Sequence, residues 1–169
     1  MKIIVAVDRK WGIGRDNGLL FSVPEDMKFF RTTTTGKVII VGRKTLESFP
    51  GGQPLKNRTN VVLSRGPVRD GVTVVDGLPA LMRVLGDFND DDVYVCGGAS
   101  VYRMLLPYCS EALVTKIDAD GEADTFFPNL DEEYGWRVGE ILSEAESNGY
   151  RIKFCRYINE DIKSFTSGE

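Results

Sequence analysis

The sequence predicts a single-domain α/β fold: a mixed, mainly parallel sheet of about eight strands, flanked by about four helices, with an antiparallel edge supplied by the C-terminal third. Three observations carry this. Short runs rich in Val and Ile, bounded by Gly, Asp or Ser, alternate with helical patterns over the first two thirds of the chain. The last third has strand-like segments with no helical pattern between them. A chain of 169 residues, 42% hydrophobic and 27% charged, is long enough to bury one core and short for two.

In chain order, Ile3 to Val7 is a first strand, apolar at every position and so suited to a place in a sheet covered on both faces. A glycine-rich loop follows, Gly12 to Gly18. Pro24 to Thr33 is the first helix, with Ser22 and Glu25 spaced as a capping box and Pro24 in the first turn. Val38 to Val41 is a strand, Lys44 to Ser48 a helix, and Val61 to Leu63 and Val72 to Val75 are strands. Pro79 to Leu85 is a helix, Val93 to Cys96 a strand, and Ser100 to Leu106 a helix. Ala112 to Ile117, Trp136 to Leu142 and Arg151 to Ile158 complete the set as the antiparallel edge. The domain is expected over residues 1–160, with a polar tail over 161–169 and fraying from about Asn159 onward.

Composition excludes several kinds of chemistry. Twenty-one basic against 25 acidic residues leave a net charge of −4, a poor match for a nucleic-acid backbone. The chain contains no histidine, which removes Ser-His-Asp and Cys-His nucleophile systems and His-based metal sites. Cys96, Cys109 and Cys155 form no CxxC pair and read as small buried hydrophobes, so neither a disulfide framework nor a metal site is expected. The apolar run at the N-terminus is too short for a signal peptide, and no stretch reaches the length of a membrane span. A soluble, reduced, cytoplasmic protein is expected. Its chemistry must rest on carboxylates, amines, backbone dipoles or a cofactor.

Four places can carry such chemistry. The Gly12-Ile13-Gly14-Arg15-Asp16-Asn17-Gly18 loop departs from a dinucleotide fingerprint, because its third glycine comes one residue late. It reads as a turn-rich mobile loop, and it also lies beyond a strand's carboxyl end, where α/β sheets bind ligands. Gly42-Arg43-Lys44-Thr45 and Gly97-Gly98-Ala99-Ser100 each follow a buried strand and open a helix, the order that aims backbone N–H groups at a phosphate. Each is equally consistent with a tight turn; together they suit the two phosphates of a dinucleotide, with Arg65 near an additional one. Asp26 is consistent with a first-turn acid favoured by the helix dipole. It also shares a helix face with Phe30, where desolvation would raise its pKa and fit it for proton transfer or an amidine-like cation.

Taken together these segments resemble the dihydrofolate reductase family: "IVAV", "GIG", "VPEDMKFFR", "VGRKTLESF", "NVVLSR", "VCGGASVY", "LVTKIDA" and "DTFFP" occur in the family's order across nearly the whole chain. The resemblance implies reduction of 7,8-dihydrofolate to tetrahydrofolate with NADPH, within one-carbon metabolism. It also implies small-molecule partners, including antifolate inhibitors, and a monomer. In it Asp26 holds the 2-amino and N3 edge of the pterin, with Thr115 as hydroxyl partner and Leu19 and Phe21 beside the reacting ring. Ile4, Val5, Leu19, Met27, Phe30, Phe49, Leu55 and Cys96 line the pterin and aminobenzoyl pocket, and Arg58 pairs with the glutamate α-carboxylate. Ala6, Ile13, Gly14, Gly18 and Leu19 take the nicotinamide side. Gly42, Arg43, Lys44, Thr45, Leu63, Ser64 and Arg65 take the adenosine-phosphate side. Cys96, Gly97, Gly98, Ala99, Ser100, Val101 and Tyr102 form the second phosphate loop, with a cis peptide between the two glycines.

Two departures stand out. Leu20 and Phe21 replace the family's Pro-Trp, so no indole N–H is present to hold a water near Asp26. Ala99 replaces a third glycine. Alternative readings are the reductase of riboflavin synthesis, which acts on a ribosylated pyrimidine, and a catalytically silent nucleotide-binding module; Asp26 and Arg58 speak against the former.

Overall fold

The computed structural model describes residues 1–165, and its main sheet has eight strands, which lie side by side in the order Thr73–Val75, Thr59–Leu63, Val38–Gly42, Val93–Val95, Lys2–Val7, Glu111–Ile117, Tyr150–Asn159 and Trp136–Ser147. These are β1 (Lys2–Val7), β3 (Val38–Gly42), β4 (Thr59–Leu63), β5 (Thr73–Val75), β6 (Val93–Val95), β7 (Glu111–Ile117), β9 (Trp136–Ser147) and β10 (Tyr150–Asn159). A separate two-stranded ribbon pairs β2 (Gly12–Gly14) with β8 (Thr125–Phe126). The helices are α1 (Pro24–Thr34), α2 (Arg43–Ser48), α3 (Leu78–Leu85) and α4 (Ala99–Leu105). The mixed, mainly parallel sheet and the four helices match the expectation.

The central strands β1, β3 and β6 are parallel to their neighbours and buried along nearly their whole length, which is why their sequences are unbroken apolar runs. Their continuity conceals which residue faces which side. In β1, Ile3, Val5 and Val7 enter a core with Val101, Tyr102 and Leu105, while Ala6 packs on the other face with Val23, Ile117 and Phe154.

The C-terminal third departs from the expectation in one respect: β7 is parallel to β1, and only β10 and β9 run antiparallel. The last strand, β10, lies between β7 and β9, so the exposed edge is β9. That edge is interrupted by two bulges, where Leu142 and Gly139 have no partner in the ladder, which twists a long free edge away from further pairing.

The capping box does not form. Val23 is the N-cap of α1, buried at 3% exposure, and the Glu25 N–H is taken instead by the Ser147 hydroxyl at 3.2 Å from the end of β9. Burial of Val23 in the α1-side core sets the helix start one residue later than Ser22 would, and a side chain distant in sequence provides the cap.

The fraying expected from Asn159 is also not found, since Asn159 ends β10, is buried and donates its side-chain amide to the Cys109 carbonyl at 2.9 Å. Beyond it, the Lys163 N–H reaches the Pro107 carbonyl at 2.9 Å. The remainder of the tail, residues 166–169, lies outside the described residues. Cys109 and Cys155 are buried free thiols, and burial pushes Cys109 up to about 12; Cys96 is only half-buried. Among the described residues no helix is long and apolar enough to cross a membrane.

Candidate active site

Two loops at the carboxyl ends of β3 and β6 meet to form a backbone cradle. The Gly42 N–H donates to the Gly97 carbonyl at 2.9 Å, and the Gly97–Gly98 peptide is cis, as expected from the resemblance. Gly97 sits at φ +123°, a conformation that L side chains rarely adopt. A Cβ on Gly42 would come within 3.2 Å of Val101 Cγ2, and one on Gly98 within 3.3 Å of Thr45 Oγ1. Glycine therefore lets the two loops pack closely against Val101 and Thr45. Helices α2 and α4 span only 6 and 7 residues, so any anion here is held by these N–H groups and nearby cations more than by a long helix dipole.

Arg43, Lys44 and Arg65 are exposed at the rim of the cradle, and Arg43 is already oriented by Glu47 at 2.8 Å. Ser64, just beyond Leu63 at the end of β4, accepts the Gly66 N–H at 3.0 Å and shapes the turn that presents Arg65. Ala99 opens α4 and Ser100 follows it, exposed. Tyr102 is buried beneath, its hydroxyl donating to the Ile4 carbonyl at 2.8 Å, so the cradle is tied to β1.

Across the β1 end lies a pocket of about 60 Å³ lined by Ala6, Ile13, Leu19, Phe21, Asp26 and Met27 among others. All six are expected site residues. Burial pushes the Asp26 carboxyl up from its ordinary value, and a hydrogen bond with Thr115 acts in the opposite sense with smaller effect. Thr115 is buried on β7, Leu19 is 87% exposed at the mouth, and Met27 is 59% exposed. Phe21 lies against Tyr150 with ring centroids 4.9 Å apart. Ile4 is buried in β1 above Tyr102. Val5 points its side chain into the opposite core, so it can offer the pocket only its backbone.

Farther along, the Arg58 guanidinium stands over the Phe30 ring, 5.9 Å from the centroid, and its buried Nε has no partner. Burial lowers the Arg58 pKa from its ordinary value. An unpaired buried donor is costly unless a ligand answers it, which suits a carboxylate. Phe49 and Cys96 pack beside it against Val41, Leu46 and Val62. The loop carrying Leu55 and Arg58 is fastened by Asn60, a buried residue the sequence reading passed over. Its Oδ1 accepts the Leu55 N–H at 3.0 Å and its Nδ2 donates to the Leu55 and Arg58 carbonyls at 2.9 and 3.1 Å. An Asn inside an otherwise apolar strand was the available signal.

The Gly12–Gly18 segment is turn-rich, as expected, and is hydrogen-bonded as a short hairpin. Gly12 to Gly14 pair with Thr125 and Phe126, and Arg15 and Gly18 exchange backbone bonds of 3.1 and 2.9 Å. Asp16 and Asn17 have φ of +51° and +61°, the signature of a tight two-residue hairpin turn. Asp8, also unremarked in the sequence, lines the pocket at 3% exposure.

A larger groove of about 870 Å³ lies between the β1–β2 loop and the β9–β10 tip. Its four basic side chains are each paired: Arg9 with Asp118, Lys116 with Asp131, Arg151 with Glu146 and Lys153 with Glu144. None of the expected site residues lines it, whereas six line the smaller pocket, so the smaller pocket is the better site.

Comparison with known proteins agrees with this geometry. The family model described as dihydrofolate reductase matches residues 1–159. The dihydrofolate reductase of Bacillus subtilis is 36% identical over 161 residues, covering 93% of each chain. That of Haemophilus influenzae is 37% identical over 154 residues, covering 90% of this chain and 94% of its own, and the type 3 dihydrofolate reductase of Salmonella typhimurium is 34% identical over 158 residues, covering 91% and 94%. With its cradle, its pocket carboxyl and its match along almost the whole length, this chain belongs to the dihydrofolate reductase family.

Proposed function

We propose that the protein reduces 7,8-dihydrofolate to 5,6,7,8-tetrahydrofolate with NADPH. The observation that carries the proposal is Asp26, an acid that lines a small pocket with Ala6, Leu19, Phe21 and Met27, where burial pushes its pKa up. The nicotinamide cofactor of the family supplies the hydride. Gly42, Thr45, Gly97, Gly98 and Ala99 would cradle its phosphates, with Ser100, Val101 and Tyr102 behind them. Arg43, Lys44, Ser64 and Arg65 would take the 2′-phosphate side next to Leu63. Ala6, Ile13, Gly14 and Gly18 would face the nicotinamide.

The chain's own part is to bind, orient and protonate. Ionised, Asp26 accepts the 2-amino and N3 N–H groups of the pterin, with Thr115 as its hydroxyl partner, and its negative charge favours the proton that N5 gains as hydride reaches C6. Ile4, Met27, Phe30, Phe49, Leu55 and Cys96 enclose the apolar body of the substrate, and Leu19 and Phe21 shield the reacting edge from water. Arg58 neutralises the glutamate carboxylate through the donor left open at Nε. Fixing both partners at reacting distance accounts for most of what such a protein must do.

A monomeric, cytoplasmic protein acting on small molecules, with a domain over residues 1–160 and a short tail, completes the proposal. The fall in NADPH absorbance on adding dihydrofolate tests it directly. No oxidation with dihydrofolate, but oxidation with a ribosylated aminopyrimidine, would reject it.

A further inference from the structure

Asp8 is a buried acid to which the proposed reaction assigns no role. It follows β1 directly, 3% exposed, and each of its oxygens has backbone donors. Oδ1 accepts the N–H of Lys10 at 2.8 Å and of Gly12 at 2.7 Å. Oδ2 accepts the N–H of Gly121 at 3.0 Å, 113 residues away. Of the two glycines it holds, Gly12 lines the pocket and Gly121 backs Leu20 and Phe21, which line it. Gly12 precedes Ile13 and is so closely packed that a Cβ would fall 2.4 Å from Ala123 Cβ. Gly121 lies against Leu20 and Phe21, where a Cβ would fall 2.9 Å from Leu20 Cδ1 and 3.0 Å from Phe21 Cζ.

We propose that Asp8 is a positioning residue that sets the spacing of the pocket walls: Oδ1 places the Gly12–Ile13 wall, and Oδ2 draws Gly121 onto Leu20 and Phe21 beside Asp26. Other contacts join the same two segments: two backbone bonds, from the Arg9 N–H to the Ala119 carbonyl and from the Asp124 N–H to the Gly14 carbonyl, both at 3.0 Å, and three ion pairs, Arg9 to Asp118 at 2.7 Å, Lys10 to Asp120 at 3.0 Å and Arg15 to Glu122 at 3.1 Å. Those three pairs are exposed and hold weakly. The Asp8 carboxylate is buried and its bonds are charge-assisted, and they reach both Gly12 and Gly121 from a single side chain. The proposal rests on dihydrofolate reduction being the reaction, because it is the Phe21 side of that site that Asp8 positions.

Asp8→Asn separates the two halves of the clamp. Its one carbonyl oxygen can keep Lys10 and Gly12, while its amide group meets the Gly121 N–H donor to donor. The expected result is exchange of the Gly121 amide faster by more than about tenfold, with Gly12 unchanged within about twofold. Turnover of dihydrofolate should fall about tenfold, with the KM for NADPH unchanged within about twofold. Asp8→Ala releases both walls and should raise the KM for NADPH as well. Gly121→Ala pushes Leu20 and Phe21 from the other side with Asp8 intact, and should reproduce the loss of turnover even if the Asp8 variants fold poorly. Wild-type kcat and KM in Asp8→Asn alongside a lower Tm, or wild-type turnover in Gly121→Ala, would overturn the proposal. A wild-type protein inactive on dihydrofolate would fault the reaction instead, and the Gly121 exchange rate still decides whether Asp8 holds that wall.

Discussion

The two sides of the site are held by different kinds of bond. On the cradle side, Gly42 and Gly97 are joined backbone to backbone at the ends of adjacent parallel strands, so the two glycine loops are extensions of the sheet itself. On the Phe21 side, segments 8–21 and 118–126 meet through a buried carboxylate, a short ribbon and exposed ion pairs. The first side follows from strand order and cannot shift without disturbing the core. The second is an assembly of side-chain contacts laid over the sheet. Changes on the cradle side should therefore appear in cofactor affinity, and changes on the other side in turnover.

The sharpest break in this division is Asp26→Asn, which keeps the shape of the pocket and removes its acid. Hydride transfer at neutral pH should fall at least about 100-fold while NADPH binding stays intact. Lower pH should restore part of the rate by supplying protonated substrate. Stopped-flow rates across pH decide it: near-normal neutral turnover removes Asp26 from proton transfer.

On the cradle side, replacing Arg43 and Arg65 together with alanine should cut the preference for NADPH over NADH by more than about tenfold. Each lost charge-assisted bond is worth about 1.5–3 kcal/mol. The change belongs in the KM for NADPH, since no reacting atom is touched. A double variant that still strongly prefers NADPH places the 2′-phosphate elsewhere.

Phe21→Trp sharpens the comparison from the turnover side. An indole N–H restores one donor near Asp26, worth about 0.5–1.5 kcal/mol, so hydride transfer above about pH 7 should rise several-fold and change little at low pH. Phe21 is already closed in by Tyr150 and Gly121, and the larger ring must displace one of them. Dihydrofolate affinity measured alongside the rate separates the two effects. Normal affinity with an unchanged pH profile rejects water anchoring at this position.

The smallest effects are on stability, and two carboxyls give them opposite signs. The Asp26 pKa is raised in the fold, so its stabilising contribution is greatest at low pH and is lost as pH rises from about 4 through the raised value. Asp26→Asn should thus melt higher than wild type at pH 7, with the difference closing in acid. The Glu111 pKa is lowered, chiefly by its hydrogen bond with Arg156 at 3.0 Å, so its contribution is present at neutral pH and is lost as pH falls through about 4 and below. Glu111→Gln should melt lower at pH 7 and match wild type in acid. Tm measured at several pH values reads both signs.

The elements legible in the sequence are those whose signal is local. Val38 to Gly42 and Val93 to Gly98 show a buried strand running into glycine, and that pattern marks both as candidate loops, each equally consistent with a tight turn. Asp26 is legible because an acid beside Phe30 on a helix face breaks an amphipathic pattern. The family resemblance, carried by the order of whole segments, joined these into one site.

What tertiary structure alone decided are the contacts between segments far apart in the chain. Ser147 caps α1 because the end of β9 happens to pass there, and Val23 takes the N-cap because the core behind it has room for a valine. The Gly12–Gly14 ribbon is too short and too glycine-rich to show a period, and its partner at Thr125 and Phe126 is remote. Val5 and Ile4 are equally apolar, so only the sheet's placement between two layers determines which faces the site. Asp8 reads as a turn acid until the fold brings Gly121 to its second oxygen. Local residue patterns set which backbone conformations are favourable, and hence the elements and the cradle. A side chain's partner across a hundred residues is set by packing, which no local pattern records.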